Sequence, residues 1–116
     1  YCLAPEVVFN LPFEIEHVVP ISRGGMDTST NLALACRSCN VHKSFHIAAI
    51  DPQTETEVPF FNPRTQNWHE HFAVSHDGAQ LEGLSPAGRA TVLRLRMNSR
   101  LQVVARHHWR SLGLYP

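Results

Sequence analysis

No apolar stretch in this chain approaches the length that crosses a bilayer, there are only three cysteines, and no acidic residue follows Glu82. The first absence excludes a helical membrane span, and a soluble cytoplasmic protein without membrane partners is expected. The odd cysteine count, with no secretory leader in the sequence, argues against a disulfide framework. There is no internal repeat or low-complexity tract, which excludes solenoid and linker architectures. Net charge is also missing, with ten acidic groups against ten basic ones. That balance would ordinarily speak against a polyanionic partner, but its distribution does not. All ten acids lie in residues 1–82, where Arg23, Arg37, Lys43 and Arg64 are the only bases, whereas residues 83–116 carry six arginines and no acid. The basic footprint therefore belongs to the C-terminal part. At 116 residues, 43% of them hydrophobic, the chain is one domain with a modest core.

What is present is concentrated in four short patches: Glu16-His17-Val18-Val19-Pro20, Gly24-Gly25, Asn31-Leu32, and Cys36-Arg37-Ser38-Cys39-Asn40-Val41-His42-Lys43. The apolar, β-branched run from Phe13 to Ile21 reads as a strand. Neighbours on a strand face opposite sides, so Glu16 and His17 can approach one target by side chain only if that strand is twisted or bulged. Ser22 to Gly25 reads as a loop with close backbone approach, and Asn31 to Ala35 as the second strand of a hairpin. From about Arg37 to Ala49 the chain lacks Gly and Pro and is expected to be helical.

These residue types suit phosphodiester hydrolysis. That reaction needs an activated water, positive charge on the phosphate oxygens and the departing 3′-oxygen, and accurate positioning. Imidazole changes charge near neutrality, so His17 is the candidate general base. Glu16 and the side-chain oxygen of Asn40 are hard ligands suited to Mg²⁺ or Mn²⁺. Lys43, three residues after Asn40, shares its helix face and is expected to contact a phosphate. Cys36 and Cys39 have zinc-knuckle spacing and Cys2 supplies a third thiol, one short of the usual four for a structural Zn²⁺. A redox Cys-x-x-Cys is disfavoured because no βαβ context surrounds it.

In this order and spacing, Glu-His-x-x-Pro, Gly-Gly, Asn-Leu and Cys-x-x-Cys-Asn-x-x-Lys resemble the HNH endonuclease family. The motif covers residues 14–46, and a looser similarity to small stand-alone bacterial members extends through the tail. The resemblance implies an α+β fold: a ββα-metal core over residues 1–50 with a structural zinc knuckle. Residues 51–116 would add an extended connection, a hairpin and Arg-rich helices, packed on that core as a single structural domain. It also implies a metal-dependent endonuclease acting on DNA, with RNA left open, in which Asn31 bonds across the loop and holds the backbone around His17. Members commonly carry an earlier Cys-x-x-Cys pair; Cys2 would be its second member, and the fourth zinc ligand would lie upstream of Tyr1. The chain departs from the pattern at Asn40, often histidine, and at Glu16, where aspartate is commoner; both keep an oxygen ligand. The competing reading is a non-catalytic, zinc-stapled nucleic-acid-binding module, which has no need of a base beside a hard metal site.

The remainder is read from local signals. Asp51 to Arg64, rich in Pro and Thr, reads as an extended connection, and Phe72 to Leu84 as a hairpin about Asp77-Gly78. Ser85-Pro86 starts a helix running from Ala87 to Asn98, with a break or kink at Asn98-Ser99. In Leu101 to Leu112, an apolar stripe of Leu101, Val104, Ala105, His108 and Leu112 is expected to face inward. Arg106 and Arg110, opposite, would contact nucleic acid or form an ordinary solvated face. Trp68, Phe72 and Trp109 are expected in the core. His42 and His46 are four apart, a spacing open to metal binding or to solvated histidines; His69, His71, His76, His107 and His108 receive no role.

Overall fold

Strand β1 (Glu14–His17) pairs antiparallel with β2 (Leu32–Ala35), and helix α1 (Arg37–Lys43) follows directly, in a computed structural model describing residues 1–116. The β-branched run is a strand for only four residues. Pro20 has no N–H to give to a ladder, and Ile21–Arg23 closes a single 3₁₀ turn instead. The register runs unbroken from Glu14↔Ala35 to His17↔Leu32, so the hairpin has no bulge and Glu16 and His17 face opposite sides of it. Cys36 caps α1, its Sγ accepting from the Cys39 N–H at 3.5 Å.

Helix α1 stops well short of Ala49. Ser44 takes φ 51°, a left-handed conformation that ends the helix, and Ala48–Ile50 becomes strand β3, paired with β4 (Glu57–Pro59). The region expected to be a plain connection is therefore half of a hairpin. Its turn is organised by Asp51, which accepts from the Gln53 N–H at 3.2 Å and the Thr54 hydroxyl at 2.8 Å. Two parallel bonds of 2.8 Å from Arg89 grip the same carboxylate. That long-range partner is what the local sequence could not announce.

A four-residue helix α2 (Trp68–His71) leads into the hairpin of β5 (Phe72–Val74) and β6 (Leu81–Gly83), which turns at Gly78, φ 74°. Ser85 caps α3 (Pro86–Arg94) through a 3.0 Å bond from the Gly88 N–H. Residues 95–99, with Arg96 at φ 51°, separate it from α4 (Arg100–Ser111), so α3 ends at Arg94 rather than at the expected Asn98 and the two helices are not continuous. The three sheets are two-stranded, and no helix is long and apolar enough to cross a membrane.

One apolar core draws on both ends of the sequence, including Tyr1, Cys2, Phe61, Phe72, Leu95 and Trp109. Trp68 and Trp109 are buried, as expected. The indole N–H of Trp68 donates to the Tyr1 carbonyl at 2.8 Å, and the Tyr115 hydroxyl donates to the Cys2 carbonyl at 2.7 Å. Helix α4 is turned over relative to expectation. Leu101 is 80% exposed, and Val104 and Leu112 are exposed too, whereas Arg106 is fully buried beside Trp109. Arg106 donates to the Ala79 and Met97 carbonyls and lies over the Tyr115 ring at 5.7 Å. Those fixed acceptors and the long aliphatic stem make an arginine the inward residue of this helix.

Candidate active site

The loop between β1 and β2 is held by Asn31. Its Oδ1 accepts from the Val19 N–H at 2.9 Å, and its Nδ2 donates to the carbonyls of Val19 and Met26, each at 2.9 Å. Gly25 is required for this closure, because a Cβ there would lie 1.7 Å from the Val19 carbonyl oxygen. Closing the loop brings Asp27 to His17, with Asp27 Oδ1 2.9 Å from Nε2 of the imidazole. An ionised carboxylate can only accept, so the Nε2 position carries the proton and Nδ1 is left as the basic nitrogen of the neutral ring. Asp27 was not singled out from the sequence. It lies among turn residues with no periodicity, and only the closed loop brings it to His17.

On the opposite face of β1, Glu16 and Lys43 form a buried ion pair, Nζ to Oε2 2.9 Å, with 6% and 1% of their side chains exposed. The second Glu16 oxygen accepts from the Tyr1 hydroxyl, and burial followed by this carboxylate pushes the phenol far above its usual range. Lys43 also donates to the His17 carbonyl at 3.0 Å. The expectation that Lys43 faces a phosphate is therefore corrected: its ammonium is enclosed, with a carboxylate and a carbonyl as partners, and it anchors the strand that carries His17. Asn40 is oriented by Glu14, a carboxylate that no sequence motif marks. Its Nδ2 donates to Glu14, leaving Oδ1 as the free acceptor of the amide. Arg37 donates to the other Glu14 oxygen at 2.7 Å. The Asn40 bond and then Arg37 hold the Glu14 carboxyl below its ordinary range.

A cleft of about 370 Å³ gathers Glu16, His17, Ser22, Asn40 and Ser44 along the side of β1 that has no strand partner. Both Glu16 and His17 line this cleft although their side chains leave opposite faces of β1. The side-chain donors there are hard oxygens, a type that can ligate a divalent cation. Asn40 Oδ1 and the serine hydroxyls carry that fit, and Glu16 joins it only by sharing its carboxylate with Lys43.

The thiols form a separate site. Cys2, Cys36 and Cys39 are all buried, with their sulfurs within 4.8 Å of one another and Cys2 Sγ 3.6 Å from Cys36 Sγ. A tetrahedral zinc–thiolate site with bonds of about 2.3 Å spaces its sulfurs by roughly 3.8 Å, so this trio has the chemistry and spacing of three zinc ligands. Hydrogen bonds from the Cys36 and Cys39 thiols hold Cys2 well below its ordinary value, while Cys36 and Cys39 are pushed up.

Of the arginines expected at nucleic acid, Arg106 is excluded by its complete burial, and Arg110 is exposed, its guanidinium lying against Gly78. His46 falls outside α1, so the pairing with His42 at helical spacing does not exist; His42 Nδ1 sits 2.7 Å from the Ser38 carbonyl.

The family model described as HNH endonuclease matches residues 1–46, a span that includes the three cysteines, β1, the clamped loop, β2 and α1. No curated protein and no solved structure gives a match. The family match likens the N-terminal 46 of the 116 residues, inside a small α+β fold, to HNH endonucleases.

Proposed function

We propose that this chain is a divalent-metal-dependent endonuclease that hydrolyses DNA phosphodiester bonds in the β1-edge cleft. The observation that carries this reading is the His17 imidazole, paired with Asp27 and opening on the same cleft as Asn40 and Glu16. His17 takes the proton of the attacking water at Nδ1, while Asp27 holds the other nitrogen protonated and stabilises the imidazolium that results. The water oxygen bonds to phosphorus as the 3′-oxygen leaves. Asn31 fixes the loop from which Asp27 reaches His17, and Lys43 fixes the backbone behind it. A Mg²⁺ or Mn²⁺ ion held through Asn40 and Glu16 would supply the charge that stabilises the phosphate and the departing oxygen. Cys2, Cys36 and Cys39 would hold a structural Zn²⁺, and Arg110 is the remaining phosphate contact from the tail.

The Glu16–Lys43 pair favours a second reading. It neutralises the carboxylate expected to hold the metal, as a zinc-stapled binding module without chemistry would tolerate. Plasmid nicking separates the two: cleavage with Mg²⁺ or Mn²⁺ that is abolished by EDTA and by His17→Ala supports the nuclease. Salt-sensitive DNA binding with no cleavage under any divalent ion would overturn it in favour of the module.

A further inference from the structure

Beside the cleft, three planar side chains are stacked at the surface. The Arg23 guanidinium lies 5.4 Å from the centroid of the Phe45 ring, and the His46 ring stacks on Phe45 at 4.5 Å with an interplanar angle of 24°. Phe45 is 53% exposed, and Arg23 is exposed as well. The stack is built rather than incidental to the surface, because Arg23 Nε donates to the Phe45 carbonyl at 2.8 Å and ties the turn after β1 to the end of α1. It is also continuous with the cleft: Ser22 and Ser44, each adjacent in sequence to a stack member, line the cleft wall. The exposed Arg23 side chain brings a cation to the stack.

We propose that Arg23, Phe45 and His46 form a stacking platform for one unpaired nucleobase next to the cleft, with Arg23 supplying positive charge to its flanking phosphate. Planar aromatic and guanidinium faces accept any base, because every base has a π face, and they do so most readily where the base is not already stacked in a duplex. The mixture of stacking surface and cationic charge fits a nucleic-acid strand. The proposal rests on the nuclease reading only in placing the strand in the adjoining cleft.

The test uses the full chain carrying His17→Ala, so that no strand is cut, and a short single-stranded DNA containing 2-aminopurine, beside its duplex. Stacking predicts quenched 2-aminopurine fluorescence on binding and preference for the single strand. Adding Phe45→Ala should abolish the quench and weaken single-strand affinity by about tenfold or more, while Phe45→Trp preserves both. Phe45 is exposed, so a thermal melt should confirm that the variants are folded. Equal affinity and quench in folded Phe45→Ala, or no single-strand binding by the parent, would overturn the platform. The ribose version of the oligonucleotide separates the sugars: Phe45-dependent binding to either supports the platform, and the tighter one identifies the strand. Cleavage by the unsubstituted chain is scored separately. Phe45-dependent binding without cleavage removes the nuclease reading alone, and cleavage with Phe45-independent binding removes the platform alone.

Discussion

The N-terminal ββα segment and the C-terminal helices use polar residues in opposite ways. In the first, an imidazole and an amide open onto a cleft, and the groups behind them (Asp27, Glu14, Lys43) act by orienting them. In the second, charge is built into the fold: Arg106 is enclosed among carbonyls, and Asp51, itself fully buried, ties Arg89 of α3 to the β3–β4 turn. A basic residue found by counting charge was as ready to be a core residue as a ligand contact. Of the residues read from their spacing, Glu16, His17 and Asn40 line the cleft, whereas Lys43 is enclosed by Glu16 and the His17 carbonyl.

The sharpest test of that contrast is His17→Ala. With about a third of its side chain exposed and one surface partner, its loss should leave the melting temperature nearly unchanged while cleavage falls by about 10²–10⁴-fold. A variant that unfolds instead would move His17 into the structural class and dissolve the comparison. Arg106→Ala is the mirror image. It leaves the Ala79 and Met97 carbonyls buried without donors, each costing about 1–3 kcal/mol, and Tm should drop on the order of 10 °C, with cleavage per folded molecule retained below the transition. Unchanged thermal stability would return Arg106 to the surface role expected from the sequence.

Within the N-terminal segment, the thiols are the structural exception. Replacing Cys39 by Ser, or stripping metal from the folded chain, should lower Tm by removing a zinc staple, and zinc content measured on the purified protein should fall in parallel. A melting curve indifferent to both would leave the trio as three buried thiols and nothing more.

The legibility of this molecule in its sequence followed the range over which each feature is determined. Strand, loop, strand and helix were readable through α1 because Pro20, Gly25, Asn31 and Cys36 act on neighbours close in sequence. The β5–β6 hairpin and the Ser85-Pro86 helix start were readable for the same reason. Ala48–Ile50 was not: three small or branched apolar residues suit helix and strand alike, and pairing with Glu57–Pro59 under the grip of Arg89 decided between them. The orientation of α4 was misread because its apolar stripe is real but exposed, while the inward face is set by Arg106 meeting carbonyls far away in sequence. Lys43 stood at a legible position, yet its burial depends on Glu16 across the hairpin. Asp27 could have been suspected only as a carboxylate in a loop already judged to close near His17.

Two smaller effects sharpen the contrast in the tail. Asp51 is held well below the usual carboxylate range, chiefly by its bonds from Arg89 with help from Thr54 and the Gln53 amide. A depressed folded value means that the stabilisation is complete above the unfolded value near 4 and is lost as pH falls below it toward the folded value. Asp51→Asn should therefore flatten the acid limb of stability against pH while changing little of its shape above pH 5; an unaltered acid limb would show that the pair contributes no linkage.

The smallest expected effect belongs to Arg110, the one arginine of the original pair that is exposed. If it meets a phosphate, Arg110→Gln should weaken DNA binding uniformly across sequences and reduce the slope of log affinity against log salt by about 0.9, the release of one counterion. Its position against Gly78 means that a lost packing contact would instead appear as a slightly lower Tm with the slope intact. The two outcomes assign Arg110 to one side of the comparison or the other: a contact made to a ligand, as in the N-terminal cleft, or one more arginine that the C-terminal fold has turned to its own use.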